Sequence, residues 1–486
     1  MLTEKKTNSK YFYLSGLIGL INLLTYSNFY LSFLLFCAEI VFLLIKFLKR
    51  KYSEFIFLYL IFLTMSFEFA DETDTAMYGF KTFEIGGICV CFFLLIPLFF
   101  KAIRIISFNS MNSECSFTKD ILVMGIFGIL NGVFSILIND NQVSRFDSLF
   151  SLFLGEVFYK FVVIIVLCLI FVYLKNRDED FVSNLYDVLS CILVGGVITI
   201  AMSSLLNIVG SYGGTSTLKI QYVVRYIPFL YVLSAIKKER KSRVFYFIIA
   251  TIGTIYTLYN NASGKMIIMY AIMPVVVIAV NMKHDKLLAI FELFIILFGF
   301  LFAYNYVISS LSNNILFASK LREVTSLFNF GNGWLQNMSV SPRVRFAEFI
   351  DISIEYLQHP FRLLTGKGYL GTTVDHIGLI ANVLGGYSQE QDNLNTFYAM
   401  HESLNTVFLI NGLLGIYFLI KYTIKLTRGL LNSPFNYCAL FWLWFAYGFS
   451  FTLTAFGVFS LLLSLSEDDS RKKKRCDYEN LHDNLS

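Results

Sequence analysis

Apolar runs alternate along the whole chain with short polar interruptions rich in lysine and arginine. Cut wherever polar residues interrupt roughly 15 to 25 apolar ones, the length that crosses a hydrocarbon core, the sequence predicts about fourteen helical spans. They lie near residues 11–26, 28–46, 53–70, 83–100, 119–138, 148–174, 181–209, 222–236, 244–259, 266–281, 287–308, 402–420, 432–449 and 451–466. The last two also fit a re-entrant hairpin, so the expectation is about 12 to 14 spans in one all-α, polytopic membrane bundle.

One stretch breaks this rhythm. Residues 309–400 hold no span, and within them Ser341-Pro342 reads as a helix start, with serine as N-cap and proline at the first helical position. Phe346, Phe349, Ile350, Ile354 and Leu357 then recur at spacings of three and four, while Arg345, Glu348, Asp351 and Glu355 take the other side. This predicts an amphipathic helix resting its apolar face on the membrane surface or on the bundle. Pro360 ends it, and Gly366, Gly368 and Gly371 form a flexible turn where backbone can approach a ligand closely.

Charge then orients the spans. The polar, basic opening MLTEKKTNSK precedes an apolar run without a small-residue cleavage site, so it reads as a cytoplasmic N-terminus before a first span. With that start, 27 of the 39 Lys and Arg fall in inward segments, 10 in outward loops, and two, Lys160 and Arg225, within spans. That asymmetry follows the positive-inside rule and also returns the basic tail to the cytoplasm. Residues 309–400 become the one large outward loop. The expected division is an N-terminal bundle (1–308), that loop, C-terminal spans (401–470) and a tail (471–486).

Composition agrees: 56% hydrophobic, 17% aromatic and 15% charged residues describe a polytopic membrane protein and exclude a soluble one. The net charge of +5 carries no argument for nucleic acid as a partner. None of the eight cysteines lies in the outward loop, so no disulfide framework is implied, and no CxxC metal or redox motif occurs. Internal repeats are not evident, and Gly195-Gly196 and Gly86-Gly87 are thin support for the paired broken helices of an inverted-repeat transporter.

The candidate chemistry concentrates in and just after the loop. Arg345 reads either as an intrahelical partner of Glu348 or as a phosphate ligand, since guanidinium stays charged and forks onto oxyanions. His401, at the water interface before a span, reads as an interfacial anchor or as a base that titrates near neutral pH. Arg225 is a snorkelling anchor or a second phosphate ligand. Lys265, Arg343, Arg362 and Lys367 are solvated charges or additions to a cationic outer surface. His359 and His376 are weaker candidates for a base. Glu156 and Lys160, at i and i+4, form a structural pair. Asp178-Glu179-Asp180 imitates a metal-binding Asp-x-Asp but sits in a short inward loop with no domain to hold a nucleotide.

Two stretches together resemble the O-antigen polymerase and O-antigen ligase superfamily of bacterial membrane glycosyltransferases. The first reads Arg345, then His359-Pro360, then Gly366-Lys367-Gly368; the second is His401 followed by Gly412-Leu413-Leu414-Gly415. The likeness covers residues 341 to 420 and departs from the family where Glu402 follows the histidine and where Ser263-Gly264-Lys265 stands for an outer serine-arginine turn. It implies a GT-C-like bundle in the bacterial cytoplasmic (inner) membrane. The donor would be a polysaccharide on undecaprenyl pyrophosphate, presented at the periplasmic face, with a chain-length regulator as a further partner. Arg345 would hold pyrophosphate, supported by Arg225, Arg343, Lys265, Gly366 and Gly368. His401 would deprotonate the acceptor hydroxyl, with no metal or other cofactor. Polymerisation of lipid-linked repeat units is the first expectation. Ligation to lipid A core and capsule or exopolysaccharide polymerisation are alternatives. A lipid-linked oligosaccharide flippase or other secondary transporter is the alternative from another class.

Overall fold

The computed structural model describes residues 9–66, 78–85, 88–105, 116–137, 159–206, 210–212, 215–217, 227–236, 239–260, 272–279, 281–282, 285–313, 334–369, 371–380, 387, 389–398, 400–401, 403–428, 440 and 443. Arg225, Lys265, Glu156, the tail from 471 and nearly all of the expected spans between 432 and 466 lie outside the described residues.

In chain order the helices are α1 (Ser9–Thr25), α2 (Phe29–Leu48), α3 (Tyr52–Met65), α4 (Val90–Phe93), α5 (Ile96–Ile105), α6 (Ser116–Leu137), α7 (Tyr159–Arg177) and α8 (Phe181–Leu205). They continue as α9 (Phe229–Ile236), α10 (Arg240–Asn260), α11 (Lys286–Asn313), α12 (Trp334–Asn337), α13 (Val340–Gln358), α14 (Pro360–Thr365), α15 (Gln389–Leu394) and α16 (Ser403–Arg428). Among the described residues, two small sheets interrupt them: β1 (Glu84–Ile85) with β2 (Ile88–Cys89), and an antiparallel pair, β3 (Gly210–Tyr212) with β4 (Thr215–Thr217).

Among the described residues, three helices are long and apolar enough to cross a membrane: Phe29–Leu48, Phe181–Ser203 and Leu404–Arg428. α2 leaves Leu34, Val41, Phe42 and Leu48 more than half exposed while burying Glu39. Such a surface is costly in water and at ease against hydrocarbon, so these helices fit a membrane-embedded protein.

The expected span at 83–100 is broken rather than continuous. Its first half forms the β1–β2 pair and the single turn of α4, and α5 restarts beside Pro97, whose fixed φ suits a helix start. The expected helix at Ser341-Pro342 begins two residues earlier, with Ser339 as N-cap, and proline is accommodated in its first turn.

The chain groups into two compact units, one of residues 1–85, 89–98 and 174–318 and the other of 86–88, 99–173 and 319–486. In the first, α8 is the central element, packed against α1, α3 and α10. The α1–α8 contact is made by small residues one turn apart, Ser15 and Gly19 facing Gly195 and Thr199. Ser15 Oγ donates to the Cys191 carbonyl at 2.8 Å, and a Cβ on Gly195 would stand 2.7 Å from Ser15 Oγ. This is the small-residue packing by which membrane helices approach closely. Gly195-Gly196 therefore lies in an unbroken helix and serves packing.

In the second unit, α16 packs against α14, α13 and α6. Lys421 pairs with Asp120, whose carboxylate also accepts from Tyr422 Oη at 2.8 Å. The α6 side chains Asn131 and Ser135 donate to the carbonyls of Thr365 and Lys367 at 2.7 and 2.9 Å. Expected outcome: Gly195→Ala lowers the melting temperature of the purified protein in detergent, by about 1–3 kcal/mol of overpacking. Gly16→Ala, whose added Cβ meets nothing within 4 Å, leaves it unchanged or slightly raised.

Candidate active site

The site begins with a broken helix. α16 carries Gly412 at φ 57°, ψ −145°, outside helical geometry. A helical carbonyl needs the amide four residues on, so the kink strands carbonyls just before it. Lys367 N donates to the Leu409 carbonyl at 2.9 Å and Gly368 N to that of Ile410 at 3.0 Å. The Tyr356 hydroxyl lies 2.9 and 2.8 Å from the Phe408 and Leu409 carbonyls.

The approach is tight enough to demand glycine. Gly366 and Gly368 have φ of 72° and 78°, and a Cβ on Gly366 would stand 2.3 Å from the Ile410 carbonyl oxygen. The Gly-Lys-Gly turn thus approaches protein backbone. Gly366 N bonds the Arg362 carbonyl at 2.7 Å, so the amides of Gly366 and Gly368 are spent inside the protein and neither offers its N–H to a phosphate.

Of the two placements expected for α13, the apolar face does not pack on the bundle and is left open, as a face resting on the membrane surface would be. Phe346, Phe349 and Leu357 are 41%, 42% and 75% exposed, whereas Glu348 and Asp351 are 0% and Glu355 8% exposed. The acidic stripe points inward. A helix among hydrocarbon-compatible elements buries the side chains that need polar partners and leaves its apolar stripe outside, the reverse of a helix in water.

Each carboxylate finds a different solution. Glu348 accepts the His401 amide at 2.7 Å, its Nδ1 at 2.8 Å, the Tyr387 hydroxyl, and Asn405 Nδ2 at 2.7 Å. Glu355 pairs with Lys367 and accepts Thr373 Oγ1 at 3.0 Å and the Val374 amide at 2.8 Å; His376 Nε2 lies 3.2 Å away. Asp351 accepts the amides of His376 and Ile377 at 3.0 and 3.2 Å through Oδ1, while its buried Oδ2 has no hydrogen-bond partner among the described residues. Burial, and then the nearby Asp375 carboxylate, push the Asp351 carboxyl up to about 7. Burial and the Glu348 charge also raise Tyr387 well above the usual phenol range, keeping it a neutral donor.

Of the expected site residues, His401 sits in this cluster, its ring edge-on to Tyr387 at 4.8 Å and its side chain 24% exposed. Arg345 lies one turn before Glu348 on α13. Asn405 joins the two positions, donating to the Arg345 carbonyl at 2.9 Å as well as to Glu348. His401, Tyr387 and Asn405 are donors to Glu348. Arg343 reaches the Gln336 carbonyl at 3.5 Å. Lys367 and Arg362 are 7% and 2% exposed. They are buried charges, Arg362 lying over the Phe134 ring at 5.5 Å, and do not belong to a solvated cationic surface. His359 is exposed at the end of α13.

The sequence reading missed Glu348 and Tyr387 as partners of the histidine, and Asn405 as a further donor to Glu348. The available signal was the i, i+3, i+7 spacing of Glu348, Asp351 and Glu355 in a chain that spends few charges. Chemically, a carboxylate on Nδ1 fixes the imidazole with its proton there, directs the Nε2 lone pair outward and stabilises the imidazolium once Nε2 takes a proton. Among the described residues, no group of three or more His, Cys, Asp or Glu is placed to hold a metal ion.

The Asp351 environment yields a signed pH dependence. The folded carboxyl ionises near 7, the unfolded one near 3.9, so the folded state loses stability as pH rises between those values. Asp351→Asn is expected to be nearly neutral close to pH 4 and stabilising above pH 7, on the order of 3 kcal/mol, in melting curves of the detergent-solubilised protein. Compared with known protein families, curated proteins and solved structures, the chain matches none.

Proposed function

We propose that this chain is a membrane glycosyltransferase of the O-antigen polymerase type. It moves a growing glycan from undecaprenyl pyrophosphate to an incoming lipid-linked repeat unit at the periplasmic face of the bacterial inner membrane. The observation that carries the reading is the Glu348–His401 contact, because the histidine singled out by motif order is held as a general base should be. The proposed topology keeps about fourteen spans, both termini in the cytoplasm and residues 309–400 outside.

In the proposed reaction, His401 Nε2 takes the proton of the acceptor hydroxyl as its oxygen bonds the donor's anomeric carbon. The bond from that carbon to the pyrophosphate oxygen breaks, and its electron pair leaves with lipid pyrophosphate. Arg345, aided by Arg343, Arg225 and Lys265, meets the growing negative charge, which is where cations lower such a barrier. Gly366 and Gly368 contribute by placing the turn. The reaction needs no metal in this scheme, since the leaving group is already a stable anion.

The test is lipopolysaccharide banding in a deletion strain complemented with wild type, Arg345→Ala, His401→Ala or Glu348→Gln, each matched for membrane level. Wild type should restore a ladder, with the Arg345 and His401 variants leaving core plus a single repeat. Glu348→Gln, which keeps the base and removes only its carboxylate, should retain a reduced ladder, its turnover lowered by less than the about 10²–10⁴-fold that a whole general base contributes. Bare core with long lipid-linked chains accumulating in the deletion strain would identify a ligase instead. Ladders unchanged in all three variants would remove this site. Reporter fusions placing residues 309–400 in the cytoplasm would leave the flippase or transporter reading.

A further inference from the structure

In the first unit, the charged groups Lys10, Arg50, Lys51, Glu54, Arg177 and Asp178 gather at helix ends around one cavity. Glu39 is the exception. It lies ten residues after Phe29 and nine before Leu48 in α2, which at about 1.5 Å each puts it close to the middle of a hydrocarbon core about 30 Å thick. It points into the protein, 2% exposed, and both its carboxyl oxygens are buried with no hydrogen-bond partner among the described residues.

Polar positions recur along this side of α2 at intervals of seven, Ser32, Glu39 and Lys46, so they form one line on the helix. The two end members are satisfied within the protein: Ser32 Oγ donates to the Thr25 carbonyl at 2.8 Å, and Lys46 pairs with Glu54. The elements packed against α2 leave the middle member alone. α3 carries Glu54 in its first turn and Tyr59 at mid-length, and α1 carries Lys10 and Tyr11 at its start. The segment whose Phe80 and Phe83 rings meet Phe36 at 5.8 and 4.6 Å adds Lys81, Glu84 and Cys91. None of these donates to the Glu39 carboxyl.

An ionised carboxylate in such surroundings is far more costly than a neutral group, and a leucine or phenylalanine would fill the position without that cost. What a carboxyl offers there and a hydrocarbon side chain does not is a proton that can be taken up and released. We propose that Glu39 is a proton-binding site at mid-membrane that exchanges its proton with the aqueous phase, the element a proton-driven cycle requires. A metal cation would need several oxygens around it, whereas a proton needs one. The proposal stands apart from the glycosyltransferase reading and does not use its site.

The experiment uses the full-length protein in phosphatidylcholine vesicles and two probes. Infrared spectra are recorded from acid to alkaline pH, and the carbonyl band of a protonated carboxylic acid is followed as the difference between wild type and Glu39→Gln, which separates Glu39 from Asp351. Dicyclohexylcarbodiimide, a membrane-soluble reagent that adds to protonated carboxyls, is reacted at the same pH values and its adducts are located by peptide mass. A Glu39 band that fades as pH rises is expected, with a Glu39 adduct whose yield falls roughly tenfold per pH unit once the group ionises. Glu39→Gln is neutral and of matching shape, so it should melt at or above the wild-type temperature and lose both signals. The peptide readout is made on the wild-type chain and stands even where the variant fails to fold. Absence of band and adduct at every pH would mean an ionised Glu39, and a band and adduct unchanged across the range would mean a proton held permanently for structure. Either result would overturn the proposal.

Discussion

The second unit depends on how the chain satisfies the carbonyls stranded where α16 breaks at Gly412. Where water is scarce, an unpaired backbone carbonyl costs several kcal/mol, so the kink survives only because other groups come to it. The Gly-Lys-Gly turn brings two amides and Tyr356 brings a hydroxyl. Those contacts fix the turn against α16, and Asn131 and Ser135 tie its other side to α6. From that anchorage, Lys367 reaches Glu355 and α13 is held with its carboxylates inward. The arrangement around His401 thus follows from a backbone defect further along the chain, within the helix that begins just after it.

Three carboxylates on one buried helix face pose one problem, the desolvation of charge, and the structure answers it in three ways. Glu355 has a lysine, and Glu348 is surrounded by dipolar donors and a histidine. Asp351 has two amides and an empty oxygen, and it holds its proton up to about 7. The first and third are structural solutions. The second sets the Glu348 carboxylate against a partly exposed imidazole, and that difference gives the Glu348 position its catalytic interest.

The first unit works by another rule. Its central contact uses Ser15, Gly19, Gly195 and Thr199 to bring α1 and α8 together, so dispersion over a close approach replaces the polar bonding of the second unit. Polar groups gather instead at the helix ends around Arg50 and Arg177. Both units leave apolar side chains outside, as membrane-embedded helices do.

The linear pattern alone determined that the protein is helical and membrane-suited, that a helix bearing Arg345 and Glu348 would be followed by a proline break and a glycine turn, and that His401 would open a further helix. Those features rest on apolar run length, three-and-four spacing and the fixed φ of proline, all local properties. The inward direction of the acidic stripe was not legible, because three-and-four spacing defines two faces without saying which one meets solvent. Nor was the purpose of Gly366 and Gly368. A glycine announces close approach, but only the packing of α16, broken at a glycine about 45 residues further on, reveals that the approaching group is the protein's own backbone. Tyr387 meets His401 and Glu348, and Asn405 meets Glu348, across long stretches of chain, and tertiary structure alone decides such contacts.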